Sequence, residues 1–254
     1  MPVKRRLLTA IPVGASALVL AMATSSNAWA DAATATSGYD VGYPQCSASL
    51  PKDGAFGIVG VNDGVAWSTN PCLASEYQWA AAKSQAGFYM NTANPGPVSS
   101  HWNLGGPREC LNPASASDQG CAYDYGWNAA AYAFSAAAGA ISAAAAAGHA
   151  WWADVETMNS WNGDQAANAA DVQGGLDYLL SQGVPAVGVY STPYQWAQIT
   201  GGYTLAASVS DWVAGASNAR QAARMCSSAY SFSGGAVTLV QYPSGRFDGD
   251  YRCP

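Results

Sequence analysis

The chain has 254 residues, half of them apolar, and its 10 Lys and Arg against 16 Asp and Glu give a formal net charge of −6. This apolar content is enough to bury a full core, which argues against a disordered chain. The acidic balance and the lack of a basic stripe argue against nucleic acid as a partner, because binding to phosphates needs clustered Lys and Arg.

Residues 1–30 are predicted to be a secretory signal peptide. Three basic residues at 4–6 precede an apolar run at 7–22, and Ala28-Trp29-Ala30 supplies the small residues that signal peptidase needs. A retained membrane anchor is disfavoured, because the run is short and a cleavage site follows it. Cleavage leaves one domain of 224 residues, 31–254, with a net charge of −9. We expect this domain to be secreted and monomeric, with no membrane contact after cleavage.

Short β-branched or aromatic runs alternate with Ala-rich stretches along this domain. The runs predict eight strands, at 39–41, 57–61, 87–91, 150–155, 186–191, 211–214, 237–242 and 247–251. The Ala-rich stretches predict five helices, at 74–85, 128–147, 165–181, 194–200 and 218–226. The alternation is typical of strand-helix units around a mainly parallel sheet. Because helices are fewer than strands, we predict an α/β fold, an irregular TIM-like (β/α) barrel in a single domain, with short or missing helices late in the chain.

Two segments need a separate interpretation. Residues 129–148 carry no charge over 20 positions, but they are mostly Ala, Ser and Gly, so they favour a helix packed against the sheet over a membrane span. Residues 91–125 are rich in Gly, Pro, Ser and Asn and predict a long loop. A loop of this length in a compact domain is usually functional, and we expect it to form a wall of a binding cleft.

All six cysteines lie after the predicted signal peptide, and an even number in an exported chain favours disulfides. Six cysteines allow 15 pairings. We expect neighbours to pair in chain order: Cys46 with Cys72, Cys110 with Cys121, and Cys226 with Cys253.

The sharpest local feature is the apolar run Trp151-Trp152-Ala153, which leads into Asp154-Val155-Glu156. Alternate residues of a strand share a face, so Asp154 and Glu156 are expected to project together at the carboxyl end of a central strand. Two carboxyl groups so close raise the pKa of one of them, as a general acid requires. An acidic pair that caps the next helix or faces solvent is the alternative.

Two further acidic positions belong to strands at the chain ends. Asp40 lies in the first predicted strand, and Asp248 lies in the last, after Gln241-Tyr242. If these strands belong to one barrel, their carboxylates converge with Asp154 and Glu156 on one pocket. Asp248-Gly249 is also a common hairpin-turn sequence, so Asp248 could serve only to shape a turn.

Four short motifs together resemble glycoside hydrolase family 25, the Chalaropsis-type lysozymes and their exported relatives. In chain order they are Asp40-Val41-x-x-x-Gln45, Asp154-x-Glu156, Gly188-Val189-Tyr190-Ser191-Thr192-Pro193, and Gln241-Tyr242 with Asp248. The resemblance extends from Gly38 to Tyr251, which is almost the whole predicted domain. It implies an irregular α/β barrel that cleaves the β-1,4 bond after N-acetylmuramic acid in peptidoglycan, at an extracellular or cell-wall location.

The resemblance also implies roles for the carboxylates. Glu156 is the expected general acid, Asp154 tunes Glu156 or stabilises an oxocarbenium-like transition state, and Asp40 and Asp248 line the same pocket. Retaining, inverting and substrate-assisted routes all stay open at this point. A non-catalytic, disulfide-stabilised glycan-binding or envelope protein with the same barrel is the alternative function.

Aromatic residues give sugar binding independent support, because their faces stack on the apolar faces of sugars. We expect substrate contacts from Tyr43, Tyr190 and Tyr242, and from Gln45 and Gln241 of the shared motifs. No metal or cofactor is expected, since there is no His-Glu-x-x-His sequence and the two histidines are far apart.

Overall fold

The computed structural model describes residues 37–206 and 208–254, so the predicted signal peptide and the start of the mature chain lie outside the described residues. Eight strands close into one barrel, and each pairs with its neighbours in chain order. They are β1 (Ser37–Val41), β2 (Phe56–Gly60), β3 (Gln85–Asn91), β4 (Ala150–Asp154), β5 (Val187–Ser191), β6 (Ser210–Val213), β7 (Val237–Ser244) and β8 (Phe247–Arg252). All eight predicted strands are present, and the barrel fold is confirmed.

The sheet is mainly parallel, as predicted, but its last strand runs the other way. β1 to β7 pair in parallel, whereas β8 is antiparallel to both β7 and β1. The reversal is a tight hairpin at Gly245, whose φ of 68° is the left-handed conformation that glycine adopts without strain. The turn therefore precedes Asp248-Gly249, and Asp248 lies within β8, so the hairpin-turn interpretation of Asp248 is wrong.

Six α-helices connect the strands in the described part of the chain: α1 (Leu73–Ala81), α2 (Gln119–Ala140), α3 (Ala143–Ala147), α4 (Gln165–Ser181), α5 (Pro193–Thr200) and α6 (Ala219–Met225). Within the described residues, no α-helix lies between β1 and β2 or between β7 and β8, which confirms a barrel with fewer helices than strands. The later helices, α5 and α6, are short, as expected.

The helix predicted at 128–147 is wrong in its bounds. It begins at Gln119, because the Asp118 carboxylate accepts a hydrogen bond from the Cys121 amide at 2.9 Å and caps the first turn. It then breaks after Ala140, where Ser142 caps the separate helix α3. None of the described helices is both long and apolar enough to cross a membrane.

Apolar side chains pack on both faces of the sheet. Inside the barrel, the buried side chains are mainly aromatic or branched, and they include Phe56, Ile58, Trp152, Trp212 and Leu239. The outward side chains of the same strands pack beneath the helices in a second and larger core. The alternation of side chains along each strand separates the two layers and reserves the barrel interior for the site.

Helices α2 and α4 pack unusually closely over the outside of the barrel. A β-carbon on Gly126 of α2 would collide with the carbonyl oxygen of Asp171, and one on Gly174 of α4 would collide with that of Tyr123. The two glycines therefore bring the helix backbones into direct contact.

Three disulfides join Cys46 to Cys72, Cys110 to Cys121 and Cys226 to Cys253. These are the pairs expected in chain order. The first ties the segment after β1 to the start of α1, the second holds the long loop to α2, and the third joins α6 to the residue that follows β8.

Replacing Gly126 with Ala tests the helix contact. We expect the free energy of unfolding to fall by about 1–3 kcal/mol, because the added methyl group forces α2 away from α4. Gly139→Ala, in the same helix but with open space around it, should leave stability unchanged or raise it by up to about 1 kcal/mol. Urea denaturation followed by circular dichroism measures both, and equal stability of the two variants would contradict the contact.

Candidate functional site

A cavity of about 170 Å³ opens at the end of the barrel where the parallel strands finish. Its walls come from β3 to β8 and from the second residue after β4. The lining residues are Tyr89, Asp154, Glu156, Tyr190, Trp212, Gln241 and Asp248. Distant parts of the chain therefore meet at one mouth, as the barrel topology predicts.

The Asp154-x-Glu156 motif points into this cavity as one unit. Asp154 is the last residue of β4 and is 5% exposed. The strand pairing continues one residue further, because the Val155 amide donates to the carbonyl of Tyr190 at 2.9 Å. This extended backbone puts Glu156 on the same side as Asp154, so the acidic pair faces the cavity, not open solvent.

Asp154 is held by a neighbouring amide. The Asn91 side chain, opposite Asp154 in the β3–β4 register, donates to its Oδ2 atom at 2.6 Å. The buried Oδ1 atom accepts no hydrogen bond from the described residues. Burial, and then the nearby charge of Glu156, keep the pKa of Asp154 well above its ordinary value despite the Asn91 hydrogen bond. Asn91 is absent from the predicted site, although it ends the strand beside β4.

Glu156 is less buried and is restrained by its surroundings. The indole of Trp161 donates to the backbone carbonyl of Glu156 at 2.8 Å and holds the turn after β4. Burial raises the pKa of the Glu156 carboxyl, the charge of Asp248 raises it further, and a hydrogen bond with the Gln195 side chain opposes the rise. The carboxyl group can therefore keep a proton at a pH where an exposed glutamate has lost it.

Asp40 and Asp248 lie directly opposite each other in the β1–β8 register. Asp40 does not line the cavity itself but connects to it through Gln241, whose amide nitrogen donates to Asp40 Oδ2 at 3.1 Å. Gln241 in turn accepts from the Tyr190 hydroxyl at 2.8 Å. Burial and the charge of Asp248 raise the pKa of Asp40 to about 7, against the hydrogen bonds that it accepts.

Three aromatic rings form one side of the cavity. The Trp212 ring lies 4.8 Å from the ring of Tyr190 and 6.2 Å from that of Tyr89, in both cases edge to face. Tyr190 is in the predicted site, whereas Tyr89 and Trp212 are not. Their position on the inward face of predicted strands was the available signal, but many strand aromatics share that feature.

Three predicted contact residues lie outside the cavity. Tyr43 is an exposed residue of a short 3-10 helix, Tyr43–Gln45. The side chain of Gln45 accepts from the Gly42 amide at 2.9 Å and caps that helix. Tyr242 points to the outer face of β7, because its neighbour Gln241 points inward, and it packs against the apolar cluster that includes Met225. The structure thus places these three outside the cavity, and their contact with substrate stays a prediction.

The long loop runs from the end of β3 to the start of α2 and contains one 3-10 turn, Gly96–Val98. Its first residues, Thr92, Ala93 and Pro95, line a second hollow of about 170 Å³ at the same end of the barrel. The opposite side of this hollow includes Met158, which is 92% exposed. The beginning of the loop therefore walls a hollow beside the carboxylates, while its later part packs on α2.

Comparison with known proteins points to one family. A family model described as lysozyme-like protein 1 matches residues 123–233. Over 53 residues the chain is 45% identical to the probable GH family 25 lysozyme 4 of Dictyostelium discoideum, and this segment covers 21% of the chain and 24% of that protein. The chain thus spans about a quarter of the length of the curated relative that it matches.

Solved structures share the whole barrel. The lysozyme of Streptomyces coelicolor is 17% identical with a TM-score of 0.55, over 87% of this chain and 94% of that one. The muramidase of Trichobolus zukalii is 19% identical with a TM-score of 0.53, over 86% and 93%. At these identities the match shows the fold, and together with the sequence matches it confirms the resemblance to glycoside hydrolase family 25.

The raised pKa of Asp40 predicts a pH-dependent stability. Between its ordinary value of 3.8 and about 7, the folded chain binds a proton that the unfolded chain has lost, so Asp40 makes the protein less stable as pH rises across this range. Asp40→Asn removes the ionisable group but also replaces one acceptor oxygen, so we expect its effect on stability to become more favourable by roughly 1–3 kcal/mol from pH 4 to pH 7.5.

Thermal unfolding at both pH values measures this effect. Asp63→Asn, at an exposed position in the loop after β2, is the control and should change stability little at either pH. An effect of Asp40→Asn on stability that is equal at the two pH values would contradict the assignment.

Proposed function

We propose that the protein is an exported glycoside hydrolase that cleaves the β-1,4 bond after N-acetylmuramic acid in peptidoglycan. The observation that carries the proposal is the cavity in which Asp154, Glu156 and Asp248 meet beside the rings of Tyr190 and Trp212. Carboxyl groups with raised pKa values supply acid catalysis, and aromatic rings supply a surface for a sugar.

Glu156 is the general acid in this proposal. Its carboxyl group lines the open cavity, and burial together with Asp248 favours the protonated form. Transfer of this proton to the glycosidic oxygen lets the leaving sugar depart as a neutral alcohol, which general acid catalysis requires. The transfer leaves a negative charge on Glu156, beside the positive charge that develops on the sugar ring. Water then forms the new bond to that carbon, directly or after an intermediate, and its proton returns to a carboxylate of the site.

Asp154 and Asp248 support the same step from two sides. A positive sugar ring in the cavity favours ionisation of both carboxyl groups, since opposite charges in a low-dielectric site attract strongly. Asn91 donates to Asp154 and stabilises its charged form as that charge develops. Asp40, connected through Gln241, orients the opposite wall.

The relatives agree with this chemistry. Proteins with the same barrel are described as lysozymes and muramidases, and the curated relative is described as a probable family 25 lysozyme. The predicted signal peptide at 1–30 supports export to the compartment where a cell-wall glycan is found.

Glu156→Gln tests the proposed role of the general acid. The variant should release reducing ends from purified peptidoglycan about 10²–10⁴-fold more slowly than the wild type, because the amide cannot supply the proton. Binding to the glycan should persist. The matched control is Glu109→Gln, at an exposed position in the long loop, which should retain full activity.

The same experiment separates the enzyme from a glycan-binding protein. Equal binding by the wild type and Glu156→Gln, with no product from either after long incubation, would refute the hydrolase and favour the non-catalytic alternative.

Gln195→Met tests how the surroundings of Glu156 set its pKa. The hydrogen bond from Gln195 lowers this pKa, so its removal should raise it and move the alkaline limb of kcat/KM to higher pH. Gln198→Met, at an exposed position on the same helix α5, should leave the profile unchanged. A shift to lower pH in Gln195→Met would contradict the assignment of Glu156 as the acid.

A further inference from the structure

We infer that Asp250 is a positioning residue that stays protonated and donates a hydrogen bond to Asp40. The fold thus holds a second pair of carboxyl groups beneath the cavity, besides Asp154 and Glu156. Its role in turnover rests on the proposed function, whereas the location of the proton does not.

One oxygen of Asp250 is already committed as an acceptor. Asp250 lies on the inward face of β8 and is fully buried. The Trp212 indole donates to its Oδ1 atom at 2.8 Å, and an indole nitrogen can only donate. The buried Oδ2 atom receives no hydrogen bond from any donor among the described residues. A bare carboxylate oxygen in such a place is costly, whereas a protonated one is itself a donor.

Asp40 is the acceptor that this proton requires. Asp250 lies opposite Gln241 in the β7–β8 register, and Gln241 reaches Asp40, so the two carboxyl groups flank one side chain. A hydrogen bond between them lowers the pKa of Asp40 and raises that of Asp250. Two ionised carboxylates cannot form such a bond, since neither carries a hydrogen. Asp40 already accepts from the Gln241 amide, a bond that favours its charged form. Asp40 also accepts from its own backbone amide, whereas Asp250 accepts one N–H bond, from Trp212, and is the more buried of the two. The shared proton is therefore assigned to Asp250.

The charged and titratable groups around Asp250 agree with this assignment. Burial, and then the charge of Asp40, keep the pKa of Asp250 well above its ordinary value, and Asp248 on the same strand acts in the same direction. The phenol of Tyr242 on β7 is near enough to Asp250 that a charge on Asp250 raises the pKa of the phenol. The guanidinium of Arg252, the next inward residue of β8, lies over the Phe56 ring at 4.4 Å.

These contacts form a chain of hydrogen bonds in which each donor and each acceptor is defined. Trp212 donates to Asp250, Asp250 donates to Asp40, and from the other side Tyr190 donates to Gln241, which donates to Asp40. Loss of the Asp250 proton would set two charges against each other and turn Asp40 away. Gln241 and Tyr190 would then lose their positions in the cavity wall.

Carboxyl ¹³C NMR of the whole chain, labelled at aspartate, locates the proton without any substrate. We expect the Asp40 signal to titrate near pH 7, while the Asp250 signal keeps the chemical shift of a protonated acid at that pH. An Asp250 signal that is already ionised at neutral pH would overturn the inference.

Substitutions supply the second measurement. Asn at 250 can accept from Trp212 and donate to Asp40, so Asp250→Asn should retain the wild-type Tm, and Asp250→Leu should lower it. The matched control is Asp211→Asn, because buried Asp211 only accepts hydrogen bonds, from the Phe232 and Ser233 amides and the Ser233 hydroxyl. Asp211→Asn should therefore lower Tm by at least about 4 °C.

Activity on peptidoglycan is the third readout. Asp250→Asn should keep most of the wild-type kcat and extend it to higher pH, since its amide cannot ionise, while Asp250→Leu should lose at least tenfold. A loss of Tm in Asp250→Asn as large as that in Asp211→Asn would overturn the inference. If the wild type proves inactive, the proposed function fails, but the NMR and stability results still decide the location of the proton.

Discussion

The antiparallel strand β8 is the constraint on which the site depends. It fills the gap between β7 and β1 and so closes the barrel, and its register sets Asp248 opposite Asp40. Without this strand, the first and last parts of the chain would present unpaired edges, and the carboxylates would not converge. The disulfide between Cys226 and Cys253 ties the end of β8 to α6 and limits the freedom of the closing strand to leave the barrel.

Closure of the barrel also brings several acidic side chains together in its interior. Five carboxyl groups crowd into one end of the barrel, those of Asp40, Asp154, Glu156, Asp248 and Asp250. Burial raises the pKa of each of them, because the charged forms have lost the solvation of water. Raised pKa values of this kind cluster at functional sites, where the stability given up in the free protein is recovered when a positive charge develops on a substrate.

The acidic groups form two pairs with different surroundings. Asp154 and Glu156 line the cavity and face the space that a sugar would occupy, so their protons can reach a substrate. Asp40 and Asp250 lie behind the aromatic wall and are connected to it by Gln241 and Trp212. The first pair is suited to exchange protons, and the second to hold the wall in place. Asp248 faces both, which couples the ionisation of one pair to that of the other.

The sequence by itself determined the eight strands, the barrel and the acidic pair at the end of β4, because each depends on local periodicity. For the disulfides it gave only an expectation among 15 pairings, which the structure confirmed. It did not reveal where helix α2 begins, since a single capping carboxylate at Asp118 and the glycine contacts between α2 and α4 outweigh the loop-like composition. Nor could it separate Tyr190, which lines the cavity, from Tyr242, which points outward. Only the tertiary structure decided that Asn91, Trp212 and Asp250 join the site, because their roles come from the register between strands, and register is a relation between distant segments that no local pattern encodes.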